Sequence, residues 1–241
     1  MKLLKDLAAA VFPQRCLVCD RLIEKDRYLC GECEKLRLNY PQRSPTCDIC
    51  GLRLEKCGCR TRLLYEKAVF PLPYEGKVRA SLQKLKFKGY LDKVEGFAAL
   101  IQTALGERGL TEKIDVITFI PMMKDAEYRR GYNQAQVLAE ALAKRTGIPC
   151  KRLLEKICDT PVQHSLSADM RRGNLLGAYE PPENKRTMIA GKTVLVTDDI
   201  LTTGSTCNEA AKTLLIYGAE AVYCAAAAAT PRKEKPEDPE S

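Results

Sequence analysis

The spacing of apolar residues changes repeatedly along the chain between a pattern typical of strands and a pattern typical of helices. Continuous apolar runs of strand length, as found in strands buried on both faces of a parallel sheet, occur at residues 67–74, 114–121, 192–199 and 220–230. Apolar residues at helical spacing lie between these runs, at residues 78–105, 133–147 and 206–218. The alternation predicts an α/β domain over residues 66–230, with a mainly parallel sheet flanked by helices.

The two ends of the chain lack this alternation. Residues 1–65 are rich in turns and have too little apolar periodicity to build their own core, so we expect a separate small domain. Within them, residues 1–12 contain two lysines and an aspartate, which favours a short amphipathic helix over a membrane span or a signal peptide. Residues 231–241 are charged and proline-rich, which predicts a disordered tail. The chain is therefore expected to be cytoplasmic.

Twelve cysteines are many for a chain of 241 residues, and eight of them fall within residues 16–59. These eight form four closely spaced pairs, namely Cys16 with Cys19, Cys30 with Cys33, Cys47 with Cys50, and Cys57 with Cys59. Such spacing lets both thiolates of a turn bind one ion, so the pairs predict two Zn²⁺ sites with four thiolates each. Both sites would be structural, because no position remains for a catalytic water. Sequential pairing is the natural assignment, interleaved pairing stays open, and a disulfide framework would require secretion.

The predicted zinc sites affect two further expectations. Loss of the metal should unfold the cysteine-rich region and spare the α/β core, because binding and folding are one event in such modules. The formal net charge of +8 suggests a nucleic-acid partner, but eight thiolates with two Zn²⁺ ions would halve that excess. We expect weak, salt-sensitive contacts to single-stranded DNA, with candidate cations Arg53, Lys56, Arg60 and Arg62.

The stretch "TVLVTDDILTTGST", residues 193–206, ends an apolar run in two aspartates and then a series of hydroxyl and glycine residues. Ligands of parallel α/β sheets bind beyond the carboxyl ends of the strands, and a helix N-terminus is a site for anions. One phosphate fits the loop, while the carboxylates of Asp198 and Asp199 suit the vicinal hydroxyls of a ribose. The stretch matches neither a Walker A motif nor a dinucleotide fingerprint. The alternative is an ordinary capped helix, with Asp199 and Thr202 as turn residues.

The same stretch resembles the motif of type I phosphoribosyltransferases that binds 5-phosphoribosyl 1-pyrophosphate (PRPP). Zinc knuckles, then "RRGYNQAQVLAEAL" at residues 129–142 and "TPVQHSLSADMRRGNLLGAYE" at residues 160–180, resemble the ComF family of ComF- and GntX-like proteins. The resemblance covers residues 12–230. It implies a double zinc-ribbon domain, a type I phosphoribosyltransferase-like domain, and a role in DNA uptake during competence or in DNA processing.

The resemblance also implies roles for individual residues. Asp198 and Asp199 would bind the ribose hydroxyls of PRPP, and the 5-phosphate would be held by Thr202, Thr203, Gly204, Ser205 and Thr206. The segment 121–132 corresponds to the pyrophosphate loop, with Arg129 and Arg130 as donors. The segment 156–172 corresponds to a hood that closes over PRPP, with candidate contacts from Lys156, Gln163, Arg171 and Arg172.

Two functional hypotheses follow from this resemblance. The first is a phosphoribosyltransferase that uses Mg²⁺ and PRPP and transfers the phosphoribosyl group to an acceptor that the sequence does not identify. No general base stands out, and the single histidine, His164, is more simply a solvated loop residue. The second is a non-catalytic module of the competence machinery that binds PRPP and single-stranded DNA beside partner proteins.

Overall fold

The computed structural model describes residues 14–39, 63–85, 93–157 and 177–230 of the chain. Several sequence-based predictions therefore lie outside the described residues: the amphipathic segment 1–12, the cysteines Cys47, Cys50, Cys57 and Cys59, the cations Arg53, Lys56, Arg60 and Arg62, the hood residues Gln163, His164, Arg171 and Arg172, and the tail 231–241. In the described part of the chain, no helix has the length and apolar character that crossing a membrane requires.

A five-stranded sheet forms the centre of the α/β domain. Its strands are β1 (Lys67–Val69), β2 (Leu72–Pro73), β3 (Val116–Phe119), β6 (Thr193–Leu201) and β7 (Ala221–Ala229). The order is β1-β7-β6-β3, β2 pairs with a later stretch of β7, and every pairing in this sheet is parallel. The predicted parallel sheet is confirmed. The single strand expected at residues 67–74 is interrupted at Pro71, which has no N–H to donate to a ladder.

Helices cover both faces of this sheet. They are α1 (Gly31–Asn39), α2 (Gly76–Lys84), α3 (Lys93–Glu107), α4 (Lys124–Arg130), α5 (Gln134–Thr146) and α6 (Ser205–Ile216). Side chains of β6 alternate between the faces: Leu195 packs with the cluster that contains α3 and α5, whereas Val194 and Val196 pack with α6. This alternation explains why the strand is a continuous apolar run, because both of its faces are buried.

A second, two-stranded sheet lies apart from the main one. It consists of β4 (Glu155–Lys156) and β5 (Tyr179–Glu180), which pair in antiparallel orientation. The two strands bracket the segment that the sequence predicts to be the hood. Of the four candidate hood residues, Lys156 is the one that the structure describes.

The cysteine-rich segment 14–39 shares its core with the α/β domain. Leu17 and Val18, together with three of the cysteines, belong to the same buried cluster as the apolar side chains of α3 and α5. Asp20 lies 3.0 Å from the ammonium of Lys84 and 2.6 Å from that of Lys93, so one carboxylate bridges α2 and α3. The expectation that metal loss spares the α/β core is therefore revised, because removing the knuckle exposes part of that core.

Candidate functional site

The predicted phosphate loop lies where β6 ends and α6 begins. β6 extends two residues past the aspartates, to Leu201, because β7 continues beside it and pairs Ile200 with Ala228 and Leu201 with Ala229. The chain then turns through residues 202–204 and enters α6 at Ser205. The aspartates and the hydroxyl-rich turn are thus at the carboxyl edge of the sheet, where ligands of such sheets bind.

The turn itself presents hydroxyls and helix amides to solvent. Four hydroxyl side chains of the turn are exposed: Thr202, Thr203, Ser205 and Thr206. The N-cap of α6 is Gly204, which has no side chain to accept a hydrogen bond from the first helical turn. That turn also carries no acidic residue. The Ser205 N–H donates to Thr203 Oγ1 at 3.3 Å. An anion at this helix end would meet the remaining amide donors of the first turn, with no carboxylate in that turn to compete for them.

Gly204 is required at its position for two reasons. Its φ of +79° lies in the left-handed region, and a Cβ there would collide with the hydroxyl of Tyr65. Tyr65 is buried beneath the turn, and the neighbouring Leu64 N–H donates to Asn208 Oδ1 at 2.6 Å. Residues 64 and 65 thus support the loop and the first turn of α6. No local sequence pattern predicts this contact, since Tyr65 precedes β1 and lies far from Gly204 along the chain.

The two aspartates of β6 form a crowded acidic pair. Both side chains are half-buried, and the Asp199 N–H donates to Asp198 Oδ1 at 2.8 Å. Burial, reinforced by the adjacent Asp199 carboxylate, raises the pKa of Asp198 well above its usual range. Among the described residues, no ion pair includes either carboxylate. A divalent cation such as Mg²⁺, or a pair of hydroxyl donors such as those of a ribose, would relieve the repulsion between the two carboxylates.

The segment predicted to be a pyrophosphate loop contains a short helix, α4. Arg129 and Arg130 lie in its last turn, both exposed, and the left-handed Gly131 ends the helix. Arg130 Nη1 donates to Gln134 Oε1 at 2.9 Å. The sequence analysis proposes Arg129 and Arg130 as donors but does not predict the helix that carries them.

The residues of "RGYNQ" connect α4 to α5. Asn133 caps α5 by accepting from the Ala135 and Gln136 amides, and its own amide donates to the Ile120 carbonyl at 3.0 Å. The next residue, Gln134, is buried, and its Nε2 has no partner among the described residues. A small cavity lies beside Gln134 and Asp199, and its lining residues are Leu82, Leu85, Val94, Tyr132, Gln134, Leu138, Asp199 and Ala227. Gln134 thus accepts from Arg130 and lines the same small cavity as Asp199.

The first four cysteines form a cluster that fits a zinc ion. The Sγ atoms of Cys16, Cys19, Cys30 and Cys33 all lie within 4.8 Å of one another. Cys19 Sγ is 3.7 Å from Cys30 Sγ, and thiolates about 2.3 Å from a tetrahedral Zn²⁺ are separated by about 3.8 Å. A backbone hydrogen bond from Cys33 lowers the pKa of Cys30 to about 7, whereas burial raises the pKa of Cys19 and of Cys33. The grouping is the sequential one.

Comparisons with known proteins agree with both halves of this description. A model of the double zinc ribbon domain matches residues 7–64, and a model of the phosphoribosyl transferase domain matches residues 130–240. Competence protein F of Haemophilus influenzae is 29% identical over 222 residues, which cover 88% of this chain and 95% of that protein. DNA utilization protein YhgH of Salmonella typhimurium is 30% identical over 211 residues, which cover 86% of each. Competence protein ComFC of Bacillus subtilis is 24% identical over 224 residues, covering 84% and 89%.

Proposed function

The chain belongs to the ComF family, and we propose that its phosphoribosyltransferase-like domain binds PRPP with Mg²⁺ and transfers the phosphoribosyl group to an acceptor. The observation that carries this proposal is the junction of β6 and α6. There, two carboxylates without a cationic partner among the described residues precede an exposed hydroxyl-rich turn at a helix N-terminus. A phosphate and a pair of ribose hydroxyls, joined as in PRPP, satisfy both features at once.

The 5-phosphate of PRPP is assigned to the turn of residues 202–206. The exposed hydroxyls and the first amides of α6 can donate to its oxygens, and the helix dipole favours its negative charge. Tyr65 and Asn208 support the turn from beneath, so the donors are held in place before the ligand arrives. A phosphate bound there points its ribose back along β6 toward the aspartates.

The ribose hydroxyls and Mg²⁺ are assigned to Asp198 and Asp199. Carboxylate oxygens are the ligands that Mg²⁺ prefers in proteins, and the half-buried pair lacks another cation in the described part of the chain. When bound, Mg²⁺ supplies charge neutralisation of the leaving pyrophosphate. The two carboxylates would hold the hydroxyls and thereby orient the anomeric carbon.

The pyrophosphate of PRPP is assigned to Arg129 and Arg130. Guanidinium groups offer the paired donors that phosphate oxygens accept, and both side chains are exposed at the end of α4. In the reaction, the acceptor's lone pair forms a bond to C1 of the ribose while the bond between C1 and the pyrophosphate oxygen breaks. Pyrophosphate leaves with that electron pair, and donors aimed at it stabilise the developing charge.

Calorimetry with PRPP and Mg²⁺ tests the site. Replacing both aspartates (Asp198→Asn with Asp199→Asn) should weaken binding at least about 100-fold, because two charged hydrogen-bond acceptors are lost. Asp115→Asn is a matched control, since Asp115 directly precedes β3 and accepts from the Thr193 N–H at the amino end of β6, at 2.8 Å. Undiminished PRPP affinity in the double variant would refute the assignment of PRPP to these two aspartates.

A non-catalytic module that binds PRPP and single-stranded DNA is the second candidate. The names of the relatives refer to competence and to DNA utilization, and we propose a role for this chain in DNA uptake or processing. Tyr128 favours a nucleic-acid contact, because its ring is 91% exposed beside Arg129, and exposed aromatic rings stack on bases. An assay of pyrophosphate release from PRPP, with pools of bases, amines and oligonucleotides as acceptors, separates the two candidates. If the protein binds PRPP but releases no pyrophosphate with any pool, the non-catalytic module is favoured.

Zinc binding follows from the cysteine cluster and the double zinc ribbon match, and we propose two Zn²⁺ ions per chain. Cys16, Cys19, Cys30 and Cys33 would hold the first ion. The second is assigned to Cys47, Cys50, Cys57 and Cys59, which lie outside the described residues. Elemental analysis of the purified protein should give two zinc ions per chain. A content of one zinc ion per chain would refute the proposed second site.

A further inference from the structure

The helix that carries Arg129 and Arg130 is held to the protein mainly by polar contacts. None of the seven residues of α4 is buried, and Tyr128 points almost entirely into solvent. A short helix without a buried face has little intrinsic stability, because helix formation in proteins depends on packing. The direction in which the two arginines point therefore depends on what fastens α4 to its neighbours.

Arg152 makes the most extensive of these contacts. Its Nη2 lies 2.9 Å from Glu127 Oε1 and its Nη1 lies 3.4 Å from Glu127 Oε2, a forked pair with a residue in the middle of α4. The same Nη2 donates to Gln136 Oε1 of α5 at 2.9 Å. The guanidinium also stacks on Phe119, the last residue of β3, with 5.3 Å to the ring centroid. One side chain thus joins α4 to both the sheet and α5.

Glu127 is well placed to transmit this restraint to the arginines. Its carbonyl accepts the Gly131 N–H at 2.7 Å, the hydrogen bond that closes the last turn of α4. Arg129 and Arg130 lie within that turn. Fixing the Glu127 side chain therefore fixes the orientation of the turn from which both arginines project.

We propose that Arg152 is a positioning residue for the pyrophosphate donors: it anchors α4 through Glu127, and so directs Arg129 and Arg130 toward the anion. This inference rests on the assignment of pyrophosphate to those two arginines. Arginine suits the role better than lysine, because only a planar guanidinium can stack on a ring and fork to a carboxylate together.

A direct role for the Arg152 charge is the competing explanation, and Glu127→Gln separates the two. If Arg152 attracted pyrophosphate by its own charge, removing the neutralising carboxylate would strengthen pyrophosphate binding. If Arg152 anchors α4, the same change breaks the fork and weakens binding. The two explanations therefore predict opposite signs for one isosteric substitution.

The experiment compares Arg152→Gln, Glu127→Gln and wild type, with Arg186→Gln as the matched control. Arg186 forms a similar pair with Glu180 at 2.8 Å and stacks on Tyr217 at 5.4 Å, but it does not contact α4. Pulsed amide hydrogen exchange should show faster exchange at residues 124–130 in the first two variants and no change there in the control. This measurement requires no ligand.

Calorimetry with inorganic pyrophosphate and with ribose 5-phosphate then tests the functional part. If α4 without its anchor adopts the productive orientation about one tenth of the time, pyrophosphate affinity falls about tenfold. Ribose 5-phosphate affinity should stay at the wild-type value, because that ligand uses the turn of residues 202–206. A purely structural role would lower both affinities together, so the selective loss distinguishes positioning from general destabilisation.

Three results would overturn the inference. The first is unchanged exchange at residues 124–130 in Arg152→Gln, and the second is an equal loss of both affinities. The third is tighter pyrophosphate binding by Glu127→Gln. The proposed function fails separately, if the wild-type protein binds neither PRPP nor pyrophosphate. That result would also refute the part of the inference that concerns pyrophosphate binding.

Discussion

Replacing Gly204 with alanine tests whether Tyr65 supports the phosphate loop. Gly204 has a φ of +79°, and a left-handed conformation costs an L-residue roughly 1–2 kcal/mol. A Cβ at this position would also collide with the Tyr65 hydroxyl, and overpacking a buried site costs about 1–3 kcal/mol. We therefore expect Gly204→Ala to lower the free energy of unfolding by about 2–5 kcal/mol.

Two further variants separate the conformational cost from the collision. Gly147 has nearly the same conformation, with a φ of +77°, but no atom lies within 4 Å of its ideal Cβ. Gly147→Ala should therefore cost only the conformational part, roughly 1–2 kcal/mol. Combining Gly204→Ala with Tyr65→Phe removes the hydroxyl that the Cβ meets, so the double variant should recover about 1–3 kcal/mol relative to the sum of the single changes.

Urea unfolding followed by circular dichroism gives these free energies, and calorimetry with ribose 5-phosphate reports on the loop. Gly204→Ala should weaken ribose 5-phosphate binding, and the double variant should bind more tightly than Gly204→Ala alone. Equal costs for Gly204→Ala and Gly147→Ala would refute the reasoning. So would strict additivity of Gly204→Ala and Tyr65→Phe, because the collision would then contribute nothing.

Two other predictions concern charge and metal. Asp198→Asn should raise the thermal midpoint at pH 7 and leave it unchanged near pH 3. The pKa of Asp198 is raised well above its ordinary value of 3.8, so the stability of the folded protein falls as the pH rises above 3.8. Asparagine cannot ionise and therefore removes this loss. A lower thermal midpoint at pH 7 in the variant would contradict the prediction. Removing zinc with a chelator should destabilise the α/β domain by more than about 3 kcal/mol, because Leu17 and Val18 belong to its core. Thermal unfolding followed by circular dichroism measures this change. An unfolding transition that does not shift after chelation would contradict a shared core.

Features that depend on neighbouring residues follow from the amino-acid sequence alone. Strand and helix periodicity predicted the parallel sheet, and the limits of α5 follow from Asn133 and Gly147, which cap it. The spacing of Cys16, Cys19, Cys30 and Cys33 predicted the cluster that the structure brings together. The order of aspartates, hydroxyls and glycine predicted a turn between a strand and a helix. Each of these signals acts over a few residues, where backbone geometry and side-chain chemistry decide the outcome alone.

Features that join distant parts of the chain depend on the folded arrangement. The sequence predicts the strand at residues 220–230 although the five successive alanines, residues 225–229, favour strands poorly. The central place of β7, which pairs with three other strands and is buried on both faces, is visible only in the structure. Tyr65 beneath Gly204, Arg152 on Glu127, and the zinc knuckle against α3 are contacts of the same kind. Their stabilising effect comes from burial and from hydrogen bonds that exist only once the sheet has formed, so no local pattern encodes them.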